Sequence, residues 1–87
     1  MKNTVTQEEI KSLLENAEIE HDTVFGKCTI VTAKFANGFV ITESSACVDP
    51  ANYNEEIGKQ ICLERIENKL WELEGYYLQK QLYGGVK

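Results

Sequence analysis

The chain has 87 residues and a formal net charge of −5, with 14 acidic against 9 basic side chains. That length fits one small domain, residues 1–87, and such a domain buries only about 60% of its unfolded surface, so self-association is an expected route to ordinary stability. The acidic balance argues against a binder of polymeric nucleic acid or of anionic membranes, which need a basic field, but leaves room for one small anion at a few focused cations.

No apolar run approaches the roughly 18 residues of a membrane span, and the N-terminus leads directly into charged residues; neither a signal peptide nor a membrane anchor is expected. Three cysteines, Cys28, Cys47 and Cys62, are an odd number at spacings unlike a zinc motif. In a cytoplasmic protein they are expected to stay reduced and partly buried, with no metal and no cofactor.

Thr6-Gln7-Glu8-Glu9 is a capping box, and Val5 with Ile10 fits the hydrophobic staple beside it. Ile10, Leu13, Leu14 and Ala17 recur at helical spacing and predict a short amphipathic helix over about residues 7–16. His21 follows in the charged run 18–22 with no nucleophile beside it and reads as a surface residue. Strand chemistry then predicts a hairpin with strands over about residues 23–35 and 39–48, with Gly26 marking a bulge or bend. Asn37-Gly38 suggests a two-residue type I′ turn, because both central positions of that turn take positive φ. On that register Phe35 opposes Val40, Thr32 opposes Glu43 and Cys28 opposes Cys47. One face then carries Val31, Ala33, Phe35, Val40, Ala46 and Val48. The other carries Ile30, Phe39 and Ile41 among Thr32, Glu43 and Ser45, a mixture suited to a ligand pocket or a subunit contact.

Residues 43–53 link hairpin to helix and bring hydroxyls, the Asp49 carboxylate and the Asn52 amide together. Free N–H groups at a helix start favour an anion or a polar ligand edge, although Asp49 and Asn52 can equally serve only as caps. The last third predicts one long helix, residues 52–83, capped by Asn52 with Glu55 reaching back and stopped at Gly84-Gly85. Its apolar residues form two stripes: Ile57, Ile61, Trp71, Leu78 and Leu82 on one side, Cys62, Leu63, Ile66, Leu70, Leu73 and Tyr77 on the other. Two stripes need two partners. A chain this short supplies one, so the second is expected from another copy, the alternative being the N-terminal helix. The fold class expected is α+β and oligomeric. Arg65 is the only arginine, and it joins Lys27, Lys34, Lys59 and Lys69 as the groups able to meet a phosphate. There is no phosphate-binding glycine loop, no glycine-flanked nucleophilic serine and no metal-ligand spacing; binding is expected rather than catalysis.

In the order of Asn37-Gly38-Phe39, residues 45–50 (Ser-Ala-Cys-Val-Asp-Pro), Asn52-Tyr53, Gly58 and residues 69–76 (Lys-Leu-Trp-Glu-Leu-Glu-Gly-Tyr), the sequence resembles a family of small tailed-phage and prophage proteins. That family includes the Thoeris anti-defence proteins of the first described type, and the resemblance spans residues 6–82. It implies an α+β protomer that forms dimers, in some members hexamers, in the host-cell cytoplasm. It also implies a sponge: binding and sequestration, without cleavage, of the cyclic ADP-ribose signal made by TIR-domain immune enzymes, and in some members of cyclic oligonucleotides. The matching positions are Phe39, Asp49, Asn52, and Arg65 or Lys69. Phe39 is suited to stacking on adenine, Asp49 or Asn52 to bonding ribose or base, and Arg65 to pairing with pyrophosphate, with Thr42 and Ser45 adding hydroxyl contacts. The alternative function is a small phage interaction protein that binds a host or phage protein through its apolar helix stripe.

Overall fold

A computed structural model describes residues 3–84. It is α+β: helix α1 (Gln7–Glu15), strands β1 (Glu18–Val24), β2 (Cys28–Lys34) and β3 (Val40–Ala46), a 3-10 turn (Pro50–Asn52), and helix α2 (Glu55–Gln79) running into a π-helical turn (Lys80–Gly84). The strands form one antiparallel sheet in the order β1-β2-β3. The α1 start is the expected capping box: Thr6 Oγ1 accepts from Glu9 N at 3.3 Å, and Glu9 Oε1 accepts from Thr6 N at 3.3 Å.

Three expectations are corrected. First, the charged run at residues 18–22 is the greater part of β1, paired along its whole length with β2. It is an edge strand whose one strongly inward apolar residue is Ile19, packed against the core. Charge on an edge strand discourages pairing with other chains, which is why it carries no strand-like apolar pattern. Its turn to β2 holds the positive-φ pair Phe25 (+55°) and Gly26 (+64°), with Lys27 N bonded to Val24 O at 3.2 Å, so the type I′ geometry occurs here.

Second, the β2–β3 loop has three residues. Phe35 N donates to Phe39 O and Gly38 N to Phe35 O, both at 2.8 Å, and of the loop residues only Gly38 takes positive φ, +91°. This is a type I turn closed by a glycine bulge. The register slips by one: Lys34 faces Val40, Thr32 faces Thr42 and Cys28 faces Ala46, not Cys47. All three cysteines are free thiols. The slip turns β3 over, because side chains alternate faces every residue. Ile41 is therefore in the core at 5% exposure while Val40 is 50% exposed, the reverse of the faces expected.

Third, α2 begins later than residue 52. Asn54, not Asn52, caps it, its side chain accepting from Glu56 N at 3.0 Å and Ile57 N at 3.2 Å. Asn52 closes the preceding 3-10 turn, which Asp49 caps by accepting from Ala51 N at 2.9 Å. The expected stop at Gly84-Gly85 lies partly outside the described residues.

Both helices share one core with the sheet. Gly58, Cys62, Ile66 and Leu70 recur every four residues as the buried ridge of α2, and Cys62, Ile66 and Leu70 pack with Ile10, Val31, Ala33, Phe35 and Ile41. Of the expected second stripe Leu78 is buried, while Ile57 is 58% and Trp71 36% exposed. At about 1.5 Å per residue α2 is longer than the seven-residue strands beneath it, so its C-terminal end overhangs the sheet in a molecule of 53 × 23 × 19 Å. Leu73, Tyr76 and Tyr77 on that overhang are exposed.

At the other end a buried polar chain joins sheet to helix. Thr29 is fully buried on β2, and its hydroxyl meets the Tyr53 hydroxyl at 2.6 Å, which in turn meets Thr23 Oγ1 at 2.8 Å. Tyr53→Phe removes the partner of a buried hydroxyl and is expected to cost about 1–3 kcal/mol, whereas Tyr53→Phe with Thr29→Val should cost less than the sum of the two changes. Urea denaturation of the four-protein cycle measures the difference.

Candidate functional site

β3 and α2 run in opposite directions along a seam, and the expected binding residues are distributed on it. The odd-numbered residues of β3 turn their backbone groups toward β2, as the bonds at Phe39 and Cys47 show. The even-numbered residues therefore turn theirs to the free edge. There Arg65, one face of α2 away, donates from Nη1 to Ser44 O at 2.6 Å. One turn further along α2, the Lys69 ammonium pairs with the Glu43 carboxylate. Both contacts cross from helix to strand, and the first covers an otherwise open sheet edge.

Next to Lys69 the seam opens into a notch of about 300 Å³ lined by Phe39, Val40, Ile41, Thr42, Lys69, Glu72 and Leu73. Three of the residues expected from sequence, Phe39, Thr42 and Lys69, thus meet in one place. Phe39 is half exposed, so its ring has a free face. Thr42 borders the notch from the strand edge, but its hydroxyl, 3.3 Å from Thr32 Oγ1, lies on the sheet face opposite Ile41 and α2. Arg65 stands one helical turn before Lys69; its single bond to a carbonyl leaves most of its five donors unused. A phosphate arriving here meets a cation already paired, since Lys69 must be shared with Glu43.

Ser45 and Asn52 are elsewhere, at the start of α2, in a smaller notch of about 130 Å³ with Cys47, Tyr53, Gly58 and Ile61. Asp49 lines neither notch and is occupied as the cap of the 3-10 turn. The seven candidate residues therefore fall into a group of three with Arg65 beside it, a separate pair, and Asp49 alone.

Sequence reasoning missed Leu73 and Glu72 as lining residues; Leu73 lies four residues after Lys69, on the same helix face, and that spacing was the available signal. It also missed a second opening under the α2 overhang, about 350 Å³, where Leu13, Phe35, Phe39, Leu70, Leu73 and Tyr77 present a mainly apolar wall bordered by Asn37 and Glu74.

Cys62 lies in the core below the seam. Burial pushes its thiol above the ordinary range, partly offset by the nearby Arg65 charge. It is therefore expected to resist alkylation at neutral pH while Cys28 and Cys47, both partly exposed, react. Mass spectrometry of a timed alkylation distinguishes the three. Because the folded thiol holds its proton where the unfolded one releases it, this group's contribution to stability is present below the ordinary thiol range and is lost as pH rises through the raised value.

Among the described residues no group of three or more His, Cys, Asp or Glu side chains is placed to hold a metal ion, and no helix is long and apolar enough to cross a membrane. The model of one family, described as phage protein (N4 Gp49/phage Sf6 gene 66), matches residues 5–82. No curated protein and no solved structure matches the chain.

Proposed function

The chain belongs to the phage protein (N4 Gp49/phage Sf6 gene 66) family, and from that premise we propose that it binds and sequesters a cyclic nucleotide immune messenger without cleaving it. The messenger is a cyclic ADP-ribose isomer made by TIR enzymes, with cyclic oligonucleotides as related ligands. The protein acts in the host-cell cytoplasm as a homodimer or a hexamer built from dimers, and it counters a defence that depends on that signal.

One observation supports this reading over the others: an aromatic face and a cation, Phe39 and Lys69, line a single notch of about 300 Å³ that Thr42 also borders, with Arg65 a turn away. These are the groups a nucleotide needs. Phe39 stacks on the base, the two cations face the pyrophosphate, and a ribose hydroxyl meets Thr42 only by reaching round the strand edge. Ser45 and Asn52 form a second polar notch further along the same seam, available to a ligand that spans two copies. Glu43 limits affinity, since its charge competes with the phosphate for Lys69.

Calorimetric titration with a cyclic ADP-ribose isomer tests the assignment. Phe39→Ala is expected to weaken binding about 10- to 100-fold through lost stacking, and Arg65→Ala about 10-fold or more through a lost charge-assisted pair. Binding unchanged in both variants would remove the seam as the site.

A second reading is favoured by a different observation. Tyr76, Tyr77 and Tyr83, 57–68% exposed, project from the end of the long helix, a surface suited to a host or phage protein partner. A stoichiometric protein captured from host lysate, lost on Tyr76→Ala, would support that interaction role.

A further inference from the structure

We propose that the apolar opening under the α2 overhang is a socket for the β1–β2 turn of a second copy of this chain, with Phe25 as the inserted side chain. This goes beyond ligand sequestration and does not depend on it.

The turn has the features of a knob. Phe25 is 91% exposed, the most exposed aromatic ring among the described residues, and it sits at φ +55°, a conformation that a bulky side chain rarely adopts. The type I′ turn needs that positive φ but not an aromatic ring, which makes no use of the chain's own core. Val48, 95% exposed, stands beside the turn, because Cys47 N donates to Lys27 O at 3.0 Å and Lys27 Nζ to Val48 O at 3.2 Å. Two apolar side chains are thus held out into solvent together on a braced tip.

The socket matches it in size and charge. Its volume of about 350 Å³ accommodates an aromatic ring, and Leu13, Phe35, Phe39, Leu70, Leu73 and Tyr77 line it. Its rim is acidic: Glu74 borders it and, with Glu8, borders the adjoining hollow that shares Leu13 and Ala36. Neither Glu74 nor Glu8 forms an ion pair among the described residues. The inserted turn brings Lys27 two residues from Phe25. Copies that each carry a charge of −5 repel one another, so a contact that sets a lysine against this acidic rim is the favourable orientation.

Knob and socket lie at opposite ends of β2, the turn before Cys28 and the loop after Lys34. Used reciprocally, each knob in the other copy's socket, the contact closes a two-fold dimer; used in one direction it is head-to-tail and continues from copy to copy unless the ring closes.

Sedimentation velocity over a range of concentrations tests this with the full chain, Phe25→Gly, Tyr77→Lys and an equimolar mixture of the two variants. Glycine takes the turn's φ freely and Tyr77 is 57% exposed, so both variants should keep the melting temperature of the parent or, for Phe25→Gly, exceed it. The parent should form larger species than either variant alone. In the mixture one variant keeps its socket and the other its knob, so a species larger than either alone should appear, held by a single contact and so at higher concentration than the parent needs. A parent that stays monomeric, variants that assemble as the parent does, or a mixture that is only the sum of its parts would each overturn the proposal.

Discussion

Gly58→Ala is expected to destabilise the protein by about 2 kcal/mol or more, even though alanine is the better helix former by about 1 kcal/mol. A Cβ at Gly58 would lie 2.3 Å from Thr29 Oγ1 and 3.0 Å from Thr29 Cβ. Thr29 cannot withdraw. It is fully buried on the central strand, and its hydroxyl is already held by Tyr53 at 2.6 Å. The helix must therefore move off the sheet or the Thr29–Tyr53 bond must break, and either outcome outweighs the gain in propensity. Thr29→Ala removes the nearer atom and leaves the Cβ, so the double variant should recover part of the loss. Additive losses in urea denaturation would show that the two residues do not limit one another. The consequence reaches the seam, because Gly58 sets how closely α2 approaches the sheet ahead of Arg65 and Lys69.

Ile66→Ala is expected to cost about 2–5 kcal/mol, through lost burial plus the cavity left behind. Ile66 is fully buried between Cys62 and Leu70 on the α2 ridge, against β2 and β3. For a domain of this size that is a fall in melting temperature on the order of 10–30 °C. Ile57→Ala, on the stripe that is 58% exposed at that position, should change the stability of the isolated protomer by less than about 0.5 kcal/mol. Thermal unfolding at low concentration separates the two stripes. A large loss at Ile57 under those conditions would mean that the second stripe is already covered.

The elements whose signals are local and redundant were legible in the sequence. The Thr6–Glu9 box has two reciprocal bonds, and the stripe from Cys62 to Leu70 has one clear period; both stand as expected. β1 was not legible because an edge strand with one core residue, Ile19, among charges has no alternation to read. The hairpin register was lost by one residue at Asn37-Gly38. That pair fits a two-residue turn as well as the glycine bulge of a three-residue loop, and only the second is realised. The same slip moved Ile41 inward and Val40 and Thr42 outward, so the expected ligand face dissolved while Phe39 kept access to the seam. Asn52 and Asn54 were both able to cap; the 3-10 turn from Asp49 takes up the first and leaves the second to α2. For the site, Phe39 and Lys69 meet because β3 and α2 run antiparallel, a pairing that distance along the chain does not reveal.

The most direct measurement is of what the protein releases. It is incubated with the products of an activated TIR immune enzyme, filtered, and denatured by heat, and the freed material is chromatographed. Intact cyclic ADP-ribose isomer, absent when Phe39→Ala replaces the parent, is the result expected of a sponge whose ligand lies on the β3–α2 seam. A cleaved product, or a parent protein that retains no nucleotide from this mixture or from cyclic oligonucleotides, would contradict it.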